Sequence, residues 1–142
     1  MSGFIYIMSN RAMPGLLKIG RTNDLERRRL ELSSATGVPV PFRIEHFAEV
    51  NDPEYAESDA HAVLFRERIS FDREFFAVSL DRAKEAFAIA IKVDIKRSAR
   101  AAEQFAQWIL ARSDLGELDT VMSWLRAVKP KDVIAALARE AA

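Results

Sequence analysis

The sequence predicts an α+β fold followed by a helical C-terminal extension, and three observations carry this. Two short runs rich in β-branched and aromatic residues, "GFIYIMS" and "LLKIG", flank a loop holding Asn10, Pro14 and Gly15. Helix-like and strand-like patterns then alternate as far as about residue 90. From there to residue 142 the periodicity is helical alone.

Taken in order, "GFIYIMS" and "LLKIG" predict two strands joined as a hairpin, the second ending at Gly20. "TNDLERRRLELSSATG" predicts a helix. Asn23 and Glu26 have the three-residue spacing of a capping box, and Gly37 is a natural stop. "PFRIEHFAEV" alternates. Its period of two puts Phe42, Ile44, His46, Ala48 and Val50 on one face, and Arg43, Glu45, Phe47 and Glu49 on the other. "NDPEYAESDAHAVLFRERI" predicts a second helix with Asp52 as N-cap and Pro53 in the first turn. "REFFAVSL" predicts a further strand, and a third helix begins near Asp81. The predicted order is β-β-α-β-α-β-α, which sets a domain boundary between 1–80 and a helical extension over 81–142. The extension continues through "LDTVMSWLRAV" and "KDVIAALAREA"; Trp108, Met122 and Trp124 there suit either an ordinary helical core or a partner-binding face.

The chain of 142 residues is about one domain long and has no cysteine, which excludes disulfides and thiolate metal sites. No apolar run reaches the ~18 residues that cross a bilayer, so no membrane association is expected. The first residues lack a basic segment followed by an apolar one, and a cytoplasmic location is the expectation. Lysine plus arginine equal aspartate plus glutamate at 21 each, which excludes a globally basic nucleic-acid binder. The charge is nonetheless uneven. Residues 1–47 carry a net +3, 48–81 a net −6 and 82–112 a net +4. Two basic stretches flanking an acidic one can form a local phosphate-binding face.

Several polar residues sit where a core is expected. Tyr6 lies in an apolar strand and needs a hydroxyl partner. Lys18 points to the face opposite Leu17 and Ile19, as an exposed strand lysine does. Leu25 and Leu32 mark the buried stripe of the first helix; Arg27 points away from it while Arg28 and Arg29 flank it, and periodicity does not choose between these two. His61 follows Glu57 by four positions on one helical face, so the two can pair with each other or share a metal or phosphate. Glu74 opens "EFF", as a solvated strand end or a carboxylate in a cleft. Singly, each has a plain structural role. Together, a phenol, a lysine, an arginine, an imidazole and a carboxylate are the groups that phosphodiester hydrolysis requires. The carboxylate holds a hard cation, the cations neutralise transition-state charge, and a phenol, amine or imidazole moves a proton.

The order of these residues resembles the GIY-YIG nuclease domain. Gly3-Phe4-Ile5-Tyr6 is similar to its first motif, and Lys18-Ile19-Gly20, ten to eleven residues on, to its second. The family's arginine follows the second glycine by eight positions, which lands on Arg28. Glu74 matches its metal-binding glutamate. "ELSSATGVP", a helical histidine and "EFF" resemble the phage-associated branch, whose second motif commonly reads Lys-Ile-Gly. The resemblance spans about residues 3–80 and implies a small, mainly antiparallel central sheet flanked by helices. It also implies a Mg²⁺- or Mn²⁺-dependent endonuclease acting on DNA. Tyr6, Lys18, Arg28, His61 and Glu74 would form the site, with Glu74 as metal ligand. One position departs from the wider family: Lys18 stands where the second motif has a tyrosine. That departure leaves a non-cleaving DNA-binding module as the alternative.

Overall fold

The computed structural model describes residues 2–111. Strand β1, Gly3–Ser9, turns through Gly15, whose φ of 80° a side chain would strain, into β2, Leu17–Thr22. Helix α1, Leu25–Ser33, follows, then β3, Arg43–Val50, and α2, Pro53–Val63. A short 3-10 turn, Phe65–Glu67, leads to β4, Phe75–Phe76, and then to helix α3, Leu80–Ala111. The sheet is antiparallel throughout in the order β3-β1-β2-β4, which is the predicted α+β architecture.

Alternation along β1 sorts the core. Ile5 and Ile7 pack with Ile19, Phe76, the small face of α2 (Ala56, Ala60) and Ala83, Ala86, Phe87 and Ala90 of α3. The alternate residues Tyr6 and Met8 pack on the other side with Phe42 and with Leu25 and Leu32 of α1, the predicted stripe. One face of the sheet therefore carries α2 and the first turns of α3, and the other carries α1. The turn between β3 and α2 is tied down by Asp94, only 2 % exposed. Its carboxylate accepts the backbone N–H groups of Asn51 at 2.8 Å and Asp52 at 2.9 Å.

Several local expectations are corrected. The N-cap of α1 is Asp24, which accepts the Arg27 N–H at 3.0 Å, because Asn23 is taken by the Arg27 guanidinium. The helix ends at Ser33 rather than near Gly37, with Ser34 as C-cap. α2 starts as predicted, with Asp52 accepting the Tyr55 N–H, but it stops at Val63. The "REFFAVSL" strand shrinks to Phe75–Phe76. The even alternation of β3 is broken. Ile7 pairs with His46 but Met8 pairs with Ile44, so Glu45 bulges out and accepts a hydrogen bond from Ser9 Oγ at 2.6 Å. In consequence Phe42 and Ile44 join the Tyr6 side, whereas Ala48 and Val50 join the Ile5 side.

The described chain divides into two compact units, Ser2–Asp94 and a second that starts at Ile95. Within the second, Phe105 and Trp108 stack with ring centroids 5.7 Å apart. The segments "LDTVMSWLRAV" and "KDVIAALAREA", with Met122 and Trp124, lie outside the described residues. Among the described residues no helix is long and apolar enough to cross a membrane.

Candidate functional site

The hairpin register sets Tyr6 opposite Gly20. The tyrosine ring lies across that glycine so closely that a Cβ there would sit 2.7 Å from Tyr6 Cζ and overlap the hydroxyl. Gly20 is thus the space in which the phenol rests. From α1, Arg28 Nε donates to the Tyr6 hydroxyl at 3.5 Å, and its other arm reaches Glu31. Arg29 instead pairs with Glu26 and donates to the Phe42 carbonyl. Of the two arginines that periodicity left open, the structure brings Arg28 to the tyrosine.

Lys18 is not an exposed strand lysine. It is 7 % exposed, and its ammonium lies 5.3 Å from the Phe75 ring centre and donates to Glu74 Oε2 at 2.8 Å. Cross-strand pairing of Lys18 with Phe75 explains this, because Glu74 precedes Phe75 on the edge strand and its carbonyl accepts the Ile19 N–H at 3.1 Å. His61 on α2 lies against the Phe76 ring, 5.0 Å between centroids, with Nε2 donating to the Ile19 carbonyl at 2.9 Å. Glu57, one turn earlier, sits 3.9 Å from His61 Nε2 and accepts from Arg21 at 3.0 Å.

The charges of this cluster act on one another. Burial first, and the neighbouring Glu74 carboxyl second, push Glu57 up to about 7 against the pull of Arg21. Burial also opposes ionisation of Glu74, but the Lys18 hydrogen bond and charge prevail and hold it below the usual carboxylate range. Of the two carboxylates, Glu57 is thus the one that holds a proton more readily. Burial lowers His61 despite its bond to the Ile19 carbonyl. The imidazole is therefore neutral near pH 7, with its Nε2 proton committed and its Nδ1 lone pair available. Burial raises Tyr6 although Arg28 pulls the other way, and the phenol keeps its proton.

A cleft of about 430 Å³ opens beside this cluster, lined by Arg21, Glu57, His61, Phe65, Arg68 and Glu74 among others. Of the sequence-predicted residues, His61 and Glu74 line it. Lys18 reaches it through its pair with Glu74, whereas Tyr6 and Arg28, paired with each other on the α1 side of the sheet, are not among its lining residues. A model of the T5orf172 domain matches residues 3–91, well over half of the chain. The chain belongs to the T5orf172 domain family. The T5orf172 match encloses the whole sheet, α1, α2 and every residue of the cluster. No curated protein and no solved structure matches the chain significantly.

Two members of this T5orf172 cluster were not singled out as site residues from sequence, Arg21 and Glu57. The i,i+4 spacing of Glu57 and His61 was the available signal for Glu57; Arg21 had only its place directly after Lys-Ile-Gly. Among the described residues no three His, Asp or Glu side chains form a ready cage for a metal. A hard divalent ion such as Mg²⁺ needs only one or two carboxylates, however. Glu57 and Glu74, two carboxylates that line the same cleft, fit it by the chemistry of their donors.

Proposed function

We propose that this chain is a metal-dependent endonuclease that hydrolyses DNA phosphodiester bonds, with a site of the GIY-YIG kind. The observation that carries the reading is convergence. A tyrosine with its arginine, a lysine with its glutamate, and a second glutamate beside a neutral histidine come from the hairpin, α1, α2 and β4 to one neighbourhood. Around it, Lys18 pairs with Glu74 and Arg21 with Glu57, Arg68 and Glu54 also line the cleft, and Arg28 stands beside Tyr6, so that several cations are at hand for a phosphate among carboxylates suited to a metal ion.

Each side chain then has a task. Lys18 and Tyr6 border the scissile phosphate, and the Tyr6 hydroxyl, keeping its proton, donates a hydrogen bond to a non-bridging oxygen. Arg28 fixes that phenol and neutralises charge as the phosphorus becomes five-coordinate. His61 accepts the proton of the attacking water at Nδ1, for which its lowered affinity and committed Nε2 suit it. Water oxygen bonds to phosphorus, the bond to the leaving oxygen breaks, and that oxygen is protonated from solvent. Glu74 with Glu57 would hold Mg²⁺ or Mn²⁺, which supplies neutralisation of the leaving oxygen's charge.

The test is nicking of supercoiled plasmid by Glu74→Ala. The variant is expected to lose divalent-dependent nicking and keep the circular dichroism spectrum of the wild type; cutting at the wild-type rate would remove Glu74 from the metal site. A second reading, a DNA-binding module that does not cleave, draws support from Lys18. Its ammonium already occupies Glu74 at 2.8 Å, at the motif position where the wider family has a tyrosine. That reading predicts a salt-sensitive gel shift with no nicking in either Mg²⁺ or Mn²⁺.

A further inference from the structure

The cleft beside Glu74 has one wall that hydrolysis does not use. Phe65, on the 3-10 turn after α2, lines it together with Arg21, His61, Arg68 and Glu74, yet the residue is 73 % exposed. A phenyl ring held at the mouth of a charged cleft is poorly placed for folding, because it buries little apolar area there. It is well placed for contact with a flat apolar partner. The turn that carries it is anchored: the Glu67 N–H donates to the Leu64 carbonyl at 3.0 Å, and the Glu67 carbonyl accepts the Ala77 N–H at 2.8 Å. Arg68, next along, donates to the Arg73 carbonyl at 2.7 Å and lies 5.7 Å from the Phe76 ring centre. The ring is thus presented from a fixed backbone in a cleft that two guanidinium groups, Arg21 and Arg68, share with the carboxylates Glu54, Glu57 and Glu74. The cleft volume of about 430 Å³ lies within the range of pockets that enclose small ligands.

We infer that Phe65 is a stacking platform for an unpaired base, so that this cleft takes single-stranded or locally unpaired DNA in preference to intact duplex. This deepens the nucleic-acid reading of the site and rests on it. In duplex DNA the base faces are covered by their neighbours, and a ring can stack only on a base that has left the helix. Arg21 and Arg68 beside the ring match the phosphates on either side of such a base, and every base has a face to offer, so the contact is tolerant of sequence.

The test is fluorescence anisotropy with a short single-stranded DNA oligonucleotide and its duplex, in EDTA so that no cutting intervenes, with a 2-aminopurine version of the strand as a stacking probe. Wild type is expected to bind the single strand more tightly than the duplex and to quench the 2-aminopurine. Phe65→Ala should bind the single strand about tenfold more weakly and lose the quenching, with duplex binding changed less than about twofold, and Phe65→Trp should restore both. Phe71→Ala removes a ring that is 87 % exposed but is not among the cleft residues, and it should bind like wild type. Single-strand binding by Phe65→Ala equal to wild type, full retention by Phe65→Leu, or an equal loss in Phe71→Ala would each overturn the inference. Because the readout is binding, a wild type that binds and stacks but never nicks plasmid would refute the nuclease reading and leave this one standing.

Discussion

Gly20 is where chain geometry and chemistry meet most closely. The residue allows the Tyr6 ring to lie across the hairpin, and that position puts the hydroxyl within reach of Arg28. Adding one methyl group there forces the ring aside. Gly20→Ala is expected to cost about 1–3 kcal/mol in urea unfolding, the range for overpacking a filled site. Combining it with Tyr6→Phe should recover part of that loss, since the hydroxyl is the nearest atom to the intruding Cβ. A double variant as unstable as the sum of the singles would place the clash elsewhere. Lys18 shows how far a single residue could be foreseen. Alternation correctly put it on the face opposite Leu17 and Ile19, but its burial comes from Phe75 and Glu74, more than fifty positions away in sequence. Local pattern carries no record of such a partner.

At the scale of elements, β3 is the instructive case. Its composition predicts a strand, and one is present from Arg43 to Val50. The bulge at Glu45, which moves Phe42 and Ile44 to the far face, arises from register against β1 and from the Ser9 hydroxyl, and neither is visible in β3 alone. The same holds for β4, where "EFF" was readable but its length is set by how far β2 stays alongside. Helix starts were more legible, because a cap and a proline act within a few residues: Asp52 and Pro53 open α2 as predicted. His46, next to the bulge, keeps the face of Ala48 and Val50 that the alternation predicts, and its ring lies 5.8 Å from Phe87 of α3. Burial, and then the charge of Lys84, lower its affinity for a proton below the ordinary 6.5. The unfolded chain then binds that proton more readily than the folded one. The stability His46 contributes is complete above 6.5 and is lost as the pH falls through the lowered folded value. His46→Phe should therefore gain on wild type in melting temperature as the pH is lowered from about 7 to about 5. A gap between the two that stays constant over that range would show that the imidazole does not titrate in this way.

Across the whole molecule, zero net charge hides a division of labour. The basic N-terminal third supplies Lys18, Arg21 and Arg28, the acidic stretch after it supplies Glu57 and Glu74, and antiparallel pairing folds one onto the other. Uneven charge along the chain was legible in sequence; the pairing that turns it into a cleft was not, and Arg21 was missed for that reason. Such a protein should grip DNA through few phosphates. The logarithm of its affinity is expected to fall against the logarithm of salt concentration with a slope of about −3, as release of counterions by three or four contacts requires. A slope near zero would mean that the cluster does not meet the backbone at all. The account stands or falls on Arg28, which links the phenol of the first motif to the anion it is held to serve. The measurement that tests it most directly is the rate of supercoiled plasmid nicking with and without Mg²⁺, for wild type and for Arg28→Ala at matched thermal stability. The account predicts Mg²⁺-dependent nicking by wild type and a rate about a hundredfold lower in the variant; no nicking by wild type, or equal rates for the two proteins, would contradict it.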